Sequence, residues 1–179
     1  MESGDTLLAL ASDGIHANGY SLVRRILDER AVPLEARAPF DADQRMADVL
    51  MRPTRIYVRS VLAAISTGHV KGVAHITGGG LIENIPRILP DGLAARLQVG
   101  SWPVDPVFSW LARDTVETGE MLRTFNCGIG MVLVVAGEHS EHVERTLESH
   151  GETVSVVGAL ESADGKPRVL LEVPDNWLA

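Results

Sequence analysis

Val73-Ala-His-Ile-Thr-Gly-Gly-Gly-Leu-Ile-Glu-Asn-Ile-Pro-Arg-Ile-Leu89 is an apolar run that stops at three consecutive glycines and resumes at helical spacing. Glycine gives up the most conformational freedom on folding, so three in a row signal positive φ angles or a backbone that something approaches closely. Unpaired N–H groups at such a turn attract anions. Two readings stand open: an anion-binding turn, or a plain strand-to-helix turn without a ligand. Pro86 in a helix interior would clash with the carbonyl of Ile82. The pattern therefore predicts a strand over Gly72–Ile76 and a helix that starts late, with Asn84 as its cap and Pro86 in its first turn. No Gly-Lys-Ser/Thr follows the glycines, and their spacing is not that of a dinucleotide fingerprint.

Working outward, Thr6–Ala11 reads as a buried strand ending at Ser12-Asp-Gly. A strand this close to the first residue is what removal of upstream sequence would leave. Tyr20, Val23, Ile26 and Leu27 share one face of an amphipathic helix, with Arg24, Arg25, Asp28 and Glu29 opposite. Residues 31–43 mix prolines and charges without period and read as a surface loop. Thr54 is placed to cap a second helix whose apolar residues are Val58, Val61, Leu62 and Ile65. Leu93–Val99 alternates as a strand. Val107, Trp110 and Leu111 with Thr115, and then Glu120–Phe125, read as short helices. Gly128–Ala136 is the most hydrophobic run and predicts a central strand buried on both faces. Ser140 opens a helix with Val143 and Leu147 inward. Val154–Leu160 and Arg168–Val173 read as a hairpin, and Pro174–Ala179 as a loose tail. Strands do not alternate strictly with single helices, so the fold class expected is α+β, a mixed sheet with packed helices, in one domain over residues 1–179.

Composition narrows the function. Hydrophobic residues make up 45% of the 179 and charged residues 22%, the profile of an ordinary globular chain. A net charge of −8 argues against binding a nucleic-acid polymer or an anionic membrane by electrostatics. No apolar run approaches the roughly 20 residues of a membrane span, and the first residues lack the regions of a signal peptide, so a cytoplasmic protein is expected. The single cysteine, Cys127, excludes an internal disulfide and a multi-cysteine zinc site, and its place at the head of an apolar run reads as a buried, inert thiol.

Three polar, glycine-containing stretches border strands. His16 and Asn18 lie between the first strand and first helix, where His16 is either a general acid–base group or a surface histidine, and Asn18 or Ser21 a helix cap. Thr77 stands beside the glycine amides, and His75 before it reads as a core histidine. Arg123, Thr124 and Asn126 precede the central strand, with Gly128 and Gly130 as bulge glycines. Trp102 and Trp110 read as packing residues. The chain has no aspartate cluster for magnesium, no phosphate-loop lysine and no Ser-His-Asp signature, so it looks like part of a site.

Gly4-Asp-Thr-Leu-Leu-Ala-Leu-Ala-Ser-Asp-Gly-Ile-His-Ala-Asn-Gly-Tyr-Ser-Leu-Val-Arg24, Ala74-His-Ile-Thr-Gly-Gly-Gly-Leu-Ile-Glu-Asn-Ile-Pro-Arg87 and Arg123-Thr-Phe-Asn-Cys-Gly-Ile-Gly-Met131 together resemble the phosphoribosylformylglycinamidine cyclo-ligases, or aminoimidazole ribonucleotide synthetases, of purine biosynthesis. Pro53-Thr-Arg-Ile-Tyr-Val58 falls in the family's order too. The resemblance covers the family's C-terminal, substrate-binding half only. It implies an α+β domain with partial likeness to a ferredoxin-like fold, and a site in the cleft against an N-terminal half absent from this chain. That half would carry most of the ATP and magnesium site and of the homodimer contact. The reaction implied is ATP-dependent ring closure of formylglycinamidine ribonucleotide to aminoimidazole ribonucleotide. On this resemblance the Thr77, Gly78, Gly79 and Gly80 backbone with Asn84 binds the ribose phosphate or another anionic group. Asn18 and Asn126 contribute to holding substrate, and His16 is the catalytic candidate, orienting the reacting end and shuttling a proton. The fragment alone would be inactive. The alternative is a non-catalytic module that binds a phosphorylated ligand.

Overall fold

In the computed structural model, which describes residues 1–113, 116–175, 177 and 178, two apolar strands set the plan. β1 (Thr6–Ala11) and β6 (Ile129–Val135) lie side by side, antiparallel, in the middle of a six-stranded sheet of order β4-β6-β1-β7-β5-β8. Side chains of a strand alternate between faces, so a continuous apolar run needs cover on both. Leu7 and Ala9 of β1, with Val132 and Val134 of β6, enter one core cluster, while Leu8, Leu10, Leu133 and Val135 enter a second.

The helices divide accordingly. The larger cluster is covered by α1 (Tyr20–Glu29), α2 (Met46–Leu50), α4 (Gly80–Asn84), α5 (Pro106–Ala112) and α6 (Thr118–Thr124). The smaller is covered by α3 (Val58–Ser66) and α7 (Ser140–Ser149), the latter through Val143 and Leu147 as its pattern predicts. The remaining strands are β4 (Val70–His75), β5 (Leu93–Gln98), β7 (Val154–Ser162) and β8 (Arg168–Glu172). All pairings in this sheet are antiparallel except β5 with β8, which gives the mixed α+β sheet expected.

Several local expectations are corrected. β7 and β8 do not form a hairpin, because β5 lies between them and pairs with both. Leu93, Ala94, Ala95 and Leu97 are all buried, so β5 gains from having both edges paired, whereas the half-exposed β8 suits the sheet edge. Residues 31–43 are not wholly loop: β2 (Arg37–Ala38) and β3 (Asp41–Arg45) pair as a small ribbon. The helix after the glycines starts at Gly80 rather than late. Pro86 is accommodated by a change to a 3₁₀ turn over Ile85–Ile88, and Asn84 makes no side-chain cap bond. Thr54, Asn18 and Ser21 cap nothing either: α3 starts at Val58 after Tyr57, and α1 follows a left-handed Gly19, neither with a side-chain cap bond.

α3 turns Ser60 and Ala64 to the sheet and leaves Val58, Leu62 and Ile65 exposed. α5 forms where expected, although Thr115 lies outside the described residues. The tail is not loose where it is described, since Trp177 packs edge-on against Trp102 with ring centroids 6.4 Å apart. No helix among the described residues is long and apolar enough to cross a membrane.

Candidate functional site

The order β4-β6-β1 brings the three polar stretches to one end of the sheet. β6 runs antiparallel to both neighbours, so its first residues lie beside the last residues of β1 and β4. The contacts are direct. Ser12 N–H donates to Gly128 O at 2.8 Å, Ile76 N–H to Gly130 O at 3.0 Å, and Asn18 Nδ2 reaches Ile76 O at 3.5 Å. Segments more than a hundred residues apart thus share one rim.

Asn126 holds that rim. It is fully buried; its Nδ2 donates to Gly14 O at 3.0 Å, and its Oδ1 accepts from Gly128 N–H at 2.9 Å and the Ser12 hydroxyl at 3.1 Å. Asn84 does the same for the glycine turn, being 4% exposed, with Nδ2 donating to Gly80 O at 2.8 Å and Gly78 O at 3.2 Å. Its Oδ1 accepts from Thr77 Oγ1 and Arg87 Nη1, both at 3.2 Å. Both amides therefore direct their polar atoms into the chain's own loops.

Between these anchors the N–H groups of Gly78 and Gly79 donate to no acceptor among the described residues. Gly79 and Gly80 have φ of +99° and +57°. A Cβ on Gly80 would lie 2.1 Å from Leu122 O, whereas one on Gly78 would meet nothing within 4 Å. The glycines thus serve two ends: Gly80 lets the turn press on the end of α6, and Gly78 leaves its backbone open to whatever occupies the rim.

His16 lies on the same rim, next to Gly130, in a left-handed conformation, φ +53°, and only 3% exposed. Its Nε2 accepts from Asp13 N–H at 3.0 Å and faces Arg55 N–H at 3.4 Å. Two donors at Nε2 place the ring proton on Nδ1, which is buried without a partner in the structure. Gly130 makes room for this ring, since a Cβ there would fall 2.8 Å from His16 Cε1 and 1.9 Å from Tyr57 Oη. Burial, then the nearby His75 and, least of all, Arg55 hold the His16 pKa below the ordinary 6.5, against an upward pull from Asp13 that is smaller than the effect of His75 and larger than that of Arg55. The ring is thus neutral at pH 7. An unfolded chain takes up a proton near pH 6.5 that the folded one refuses, so stability falls as pH drops through 6.5 toward the lowered value. For one group the slope is at most about 1.4 kcal/mol per pH unit. Urea titrations at pH 7.5 and 5.5 should show a smaller loss in His16→Gln than in wild type. An equal loss in both would refute the assignment. His69, lowered by desolvation and by His139 and His142, shifts stability in the same direction.

Two neighbours escaped the sequence reading. Tyr57 Oη donates to Ala11 O at 2.7 Å, and burial raises its pKa well above the phenol range. Arg55 Nε lies 2.9 Å from Glu152 Oε2, whose other oxygen accepts from Ser60 at 2.6 Å. The stretch Pro53–Val58 offers no period or turn signal that would have marked either residue. His75, expected in the core, is exposed at the end of β4, its ring 6.5 Å from that of Tyr57. With Arg55, Tyr57, Val61, Leu62 and Met131 it lines a cavity of about 380 Å³. Cys127 is buried, and desolvation pushes its thiol far up, as an inert thiol should be. Trp102 and Trp110 are buried packing residues, Trp102 donating to Cys127 O at 2.9 Å.

Among the described residues no group of three or more His, Cys, Asp or Glu side chains is arranged to hold a metal ion. The residues present do not fit a magnesium site. They offer instead backbone donors, a neutral imidazole and a basic margin of Arg55, His75 and Arg87, which suit an anionic organic ligand.

Comparison with known proteins gives a consistent result. Over 163 residues the chain is 52% identical to a phosphoribosylformylglycinamidine cyclo-ligase of Chromobacterium violaceum, covering 90% of this chain and 47% of that protein. The chain therefore spans about half the length of that curated relative. Among solved structures, thiamine-monophosphate kinase from Stenotrophomonas maltophilia superposes with a TM-score of 0.59 at 17% identity, covering 94% of this chain and 50% of that one. The hydrogenase maturation protein HypE from E. coli gives 0.59 at 16%, covering 100% and 53%. Phosphoribosylformylglycinamidine synthase II from Thermotoga maritima gives 0.53 at 13%, covering 98% and 24%. At these identities the likeness shows the fold alone. Residues 2–169 match the family described as AIR synthase related protein, C-terminal domain, and to that family this chain belongs.

Proposed function

We propose that the chain is the C-terminal, substrate-holding half of an ATP-dependent cyclo-ligase that converts formylglycinamidine ribonucleotide to aminoimidazole ribonucleotide in the cytoplasm. The observation that carries this reading is the 52% identity to a cyclo-ligase over 163 residues. The convergence of the three matching motifs on one rim supports it. In the reaction, ATP supplies the phosphoryl group that turns the formyl oxygen into a leaving group, the amidine nitrogen attacks the formyl carbon, and phosphate departs with release of a proton.

The chain's own residues bind and orient. The open N–H groups of Gly78 and Gly79 receive the ribose phosphate, with Thr77 and Gly80 shaping the turn and Arg87 on its margin. Asn84 and Asn126 serve the site by holding its loops, and Asn18 ties the His16 loop to the end of β4. His16 orients the reacting end. To accept the released proton, Nε2 must give up one of its two N–H donors, so His16 takes the proton only as its loop adjusts. On this reading, most of the ATP and magnesium site and of the homodimer contact belongs to an N-terminal half.

The test is phosphate release from ATP, dependent on formylglycinamidine ribonucleotide, by the chain alone and with that N-terminal half supplied. Silence alone and turnover when supplemented is the expected result. Substrate binding without turnover in either case would leave a module that binds a phosphorylated ligand. Turnover unchanged in His16→Ala would remove the proton role.

A further inference from the structure

Glu152 stands two residues before β7 with its side chain only 4% exposed, and a carboxylate so placed persists only where it is paired and hydrogen-bonded. Its Oε2 accepts from Arg55 Nε at 2.9 Å and its Oε1 from the Ser60 hydroxyl at 2.6 Å. α3 turns Ser60 inward for this bond and leaves Leu62 and Ile65 outside. A staple between α3 and the start of β7 would need Ser60 alone. Arg55 lies ahead of the helix, and the other branch of its guanidinium donates to Gly151 O at 2.7 Å. What these two bonds fix is the Arg55 backbone, whose N–H faces His16 Nε2 at 3.4 Å. The surroundings are tied to the same place: Tyr57 Oη donates to Ala11 O at 2.7 Å, and Thr153, next to Glu152, accepts Ala11 N–H at 3.0 Å. Glu152 therefore sits where the His16 loop leaves β1.

The two N–H groups on Nε2 differ in origin. That of Asp13, at 3.0 Å, belongs to the same loop as His16 and moves with it. That of Arg55 comes from another segment, and its place depends on the buried charge. An N–H aimed at an imidazole lone pair favours the neutral ring, because protonation removes the acceptor. We propose that Glu152 is a positioning residue for His16: acting through Arg55, it keeps a second donor on Nε2 and so holds the ring neutral until the segment moves. The other charged or titratable groups about the ring are Asp13 on its own loop, His75 at the end of β4 and Tyr57, whose ring centroid is 6.3 Å away. Arg24 of α1 and Arg52 line a cavity that His16 also borders. None of these is bonded to Glu152 among the described residues, so the carboxylate acts on His16 by way of Arg55. The catalytic meaning rests on the reading of His16 as the group that takes the proton released on ring closure. The positioning itself is a property of this chain.

The experiment follows the His16 ring by NMR from pH 8 to pH 4, its signal assigned by its loss in His16→Gln. Glu152→Gln keeps the shape and the bond from Ser60 but releases the guanidinium. Losing a nearby negative charge could by itself only lower the His16 midpoint, whereas losing a donor at Nε2 raises it toward the ordinary value. The expected result is a rise of about 0.5 pH unit, with the Arg55 amide exchanging its hydrogen about tenfold faster and the Asp13 amide less than about twofold faster. Arg55→Lys keeps the positive charge but cannot bond Glu152 and Gly151 O together, so it too should raise the midpoint, and it carries the test where Glu152→Gln does not fold. Ser60→Ala is the structural control: it should lower the melting temperature and leave the midpoint within about 0.2 pH unit. A midpoint that falls or stays in both Glu152→Gln and Arg55→Lys, or that rises as much in Ser60→Ala, overturns the proposal. Turnover with the N-terminal half supplied is read separately, and its acid limb should move up with the midpoint. A midpoint that rises while the limb stays would remove the proton role of His16 and keep the positioning of its ring. No turnover in any variant or in wild type would sink the cyclo-ligase reading and leave the NMR result standing.

Discussion

Gly80→Ala should unfold the chain at a temperature roughly 5–15 °C lower than wild type. The Cβ would sit 2.1 Å from Leu122 O and 2.8 Å from Phe125 O, which are backbone atoms at the end of α6 and cannot rotate aside. The residue also holds φ at +57°, where a side chain costs on the order of 1 kcal/mol. Overpacking adds about 1–3 kcal/mol, and for a chain of this length each kcal/mol moves the midpoint about 2–4 °C. Gly78→Ala is the control, because nothing lies within 4 Å and φ is not positive, so its change should stay within about 0.5 kcal/mol. Two equal melting curves would show that the turn yields, and the close approach of α4 to α6 would lose its structural meaning.

That contrast shows where local pattern reaches and where it stops. The glycine run announces a special turn, and the runs at β1 and β6 announce buried strands, because backbone freedom and apolar length are written residue by residue. Which of three glycines is indispensable is not written there: it depends on α6, some forty residues later in the chain. The same limit explains the β7–β8 error. Both strands and their turn are legible, but the insertion of β5 between them is a long-range pairing that no window contains. For α3 the periodicity was read correctly as a helix, and its orientation was lost to Glu152, a single buried charge on another element. Asn84, Asn126 and His16 stood out as polar residues at strand ends, yet only the sheet order brings them to one rim. Arg55 and Tyr57 had no local signature at all.

Asn126→Asp should cost about 3–5 kcal/mol at pH 8 and recover much of it on acidification, the opposite trend to the His16 effect. The side chain is fully buried, and its Nδ2 donates to Gly14 O while Oδ1 accepts from Gly128 N–H and Ser12. A carboxylate keeps the acceptor and loses the donor, so a buried negative charge faces a carbonyl oxygen, and burial alone costs several kcal/mol. Protonation restores an O–H that can donate to Gly14 O. The folded-state pKa of the new carboxyl is therefore raised above its unfolded value of about 3.9, the folded form binds the extra proton, and stability returns as pH falls from the raised value toward 3.9. Because His16 lowers wild-type stability over part of the same range, the quantity to follow is the difference between variant and wild type from pH 8 to pH 5. A gap that narrows with acid identifies Asn126 as the donor that ties the His16 loop to the entrance of β6. A constant gap would mean that Gly14 O is satisfied some other way, as by the Ser12 hydroxyl 2.9 Å away, and the tie between the His16 loop and β6 would then rest on the backbone bond from Ser12 to Gly128.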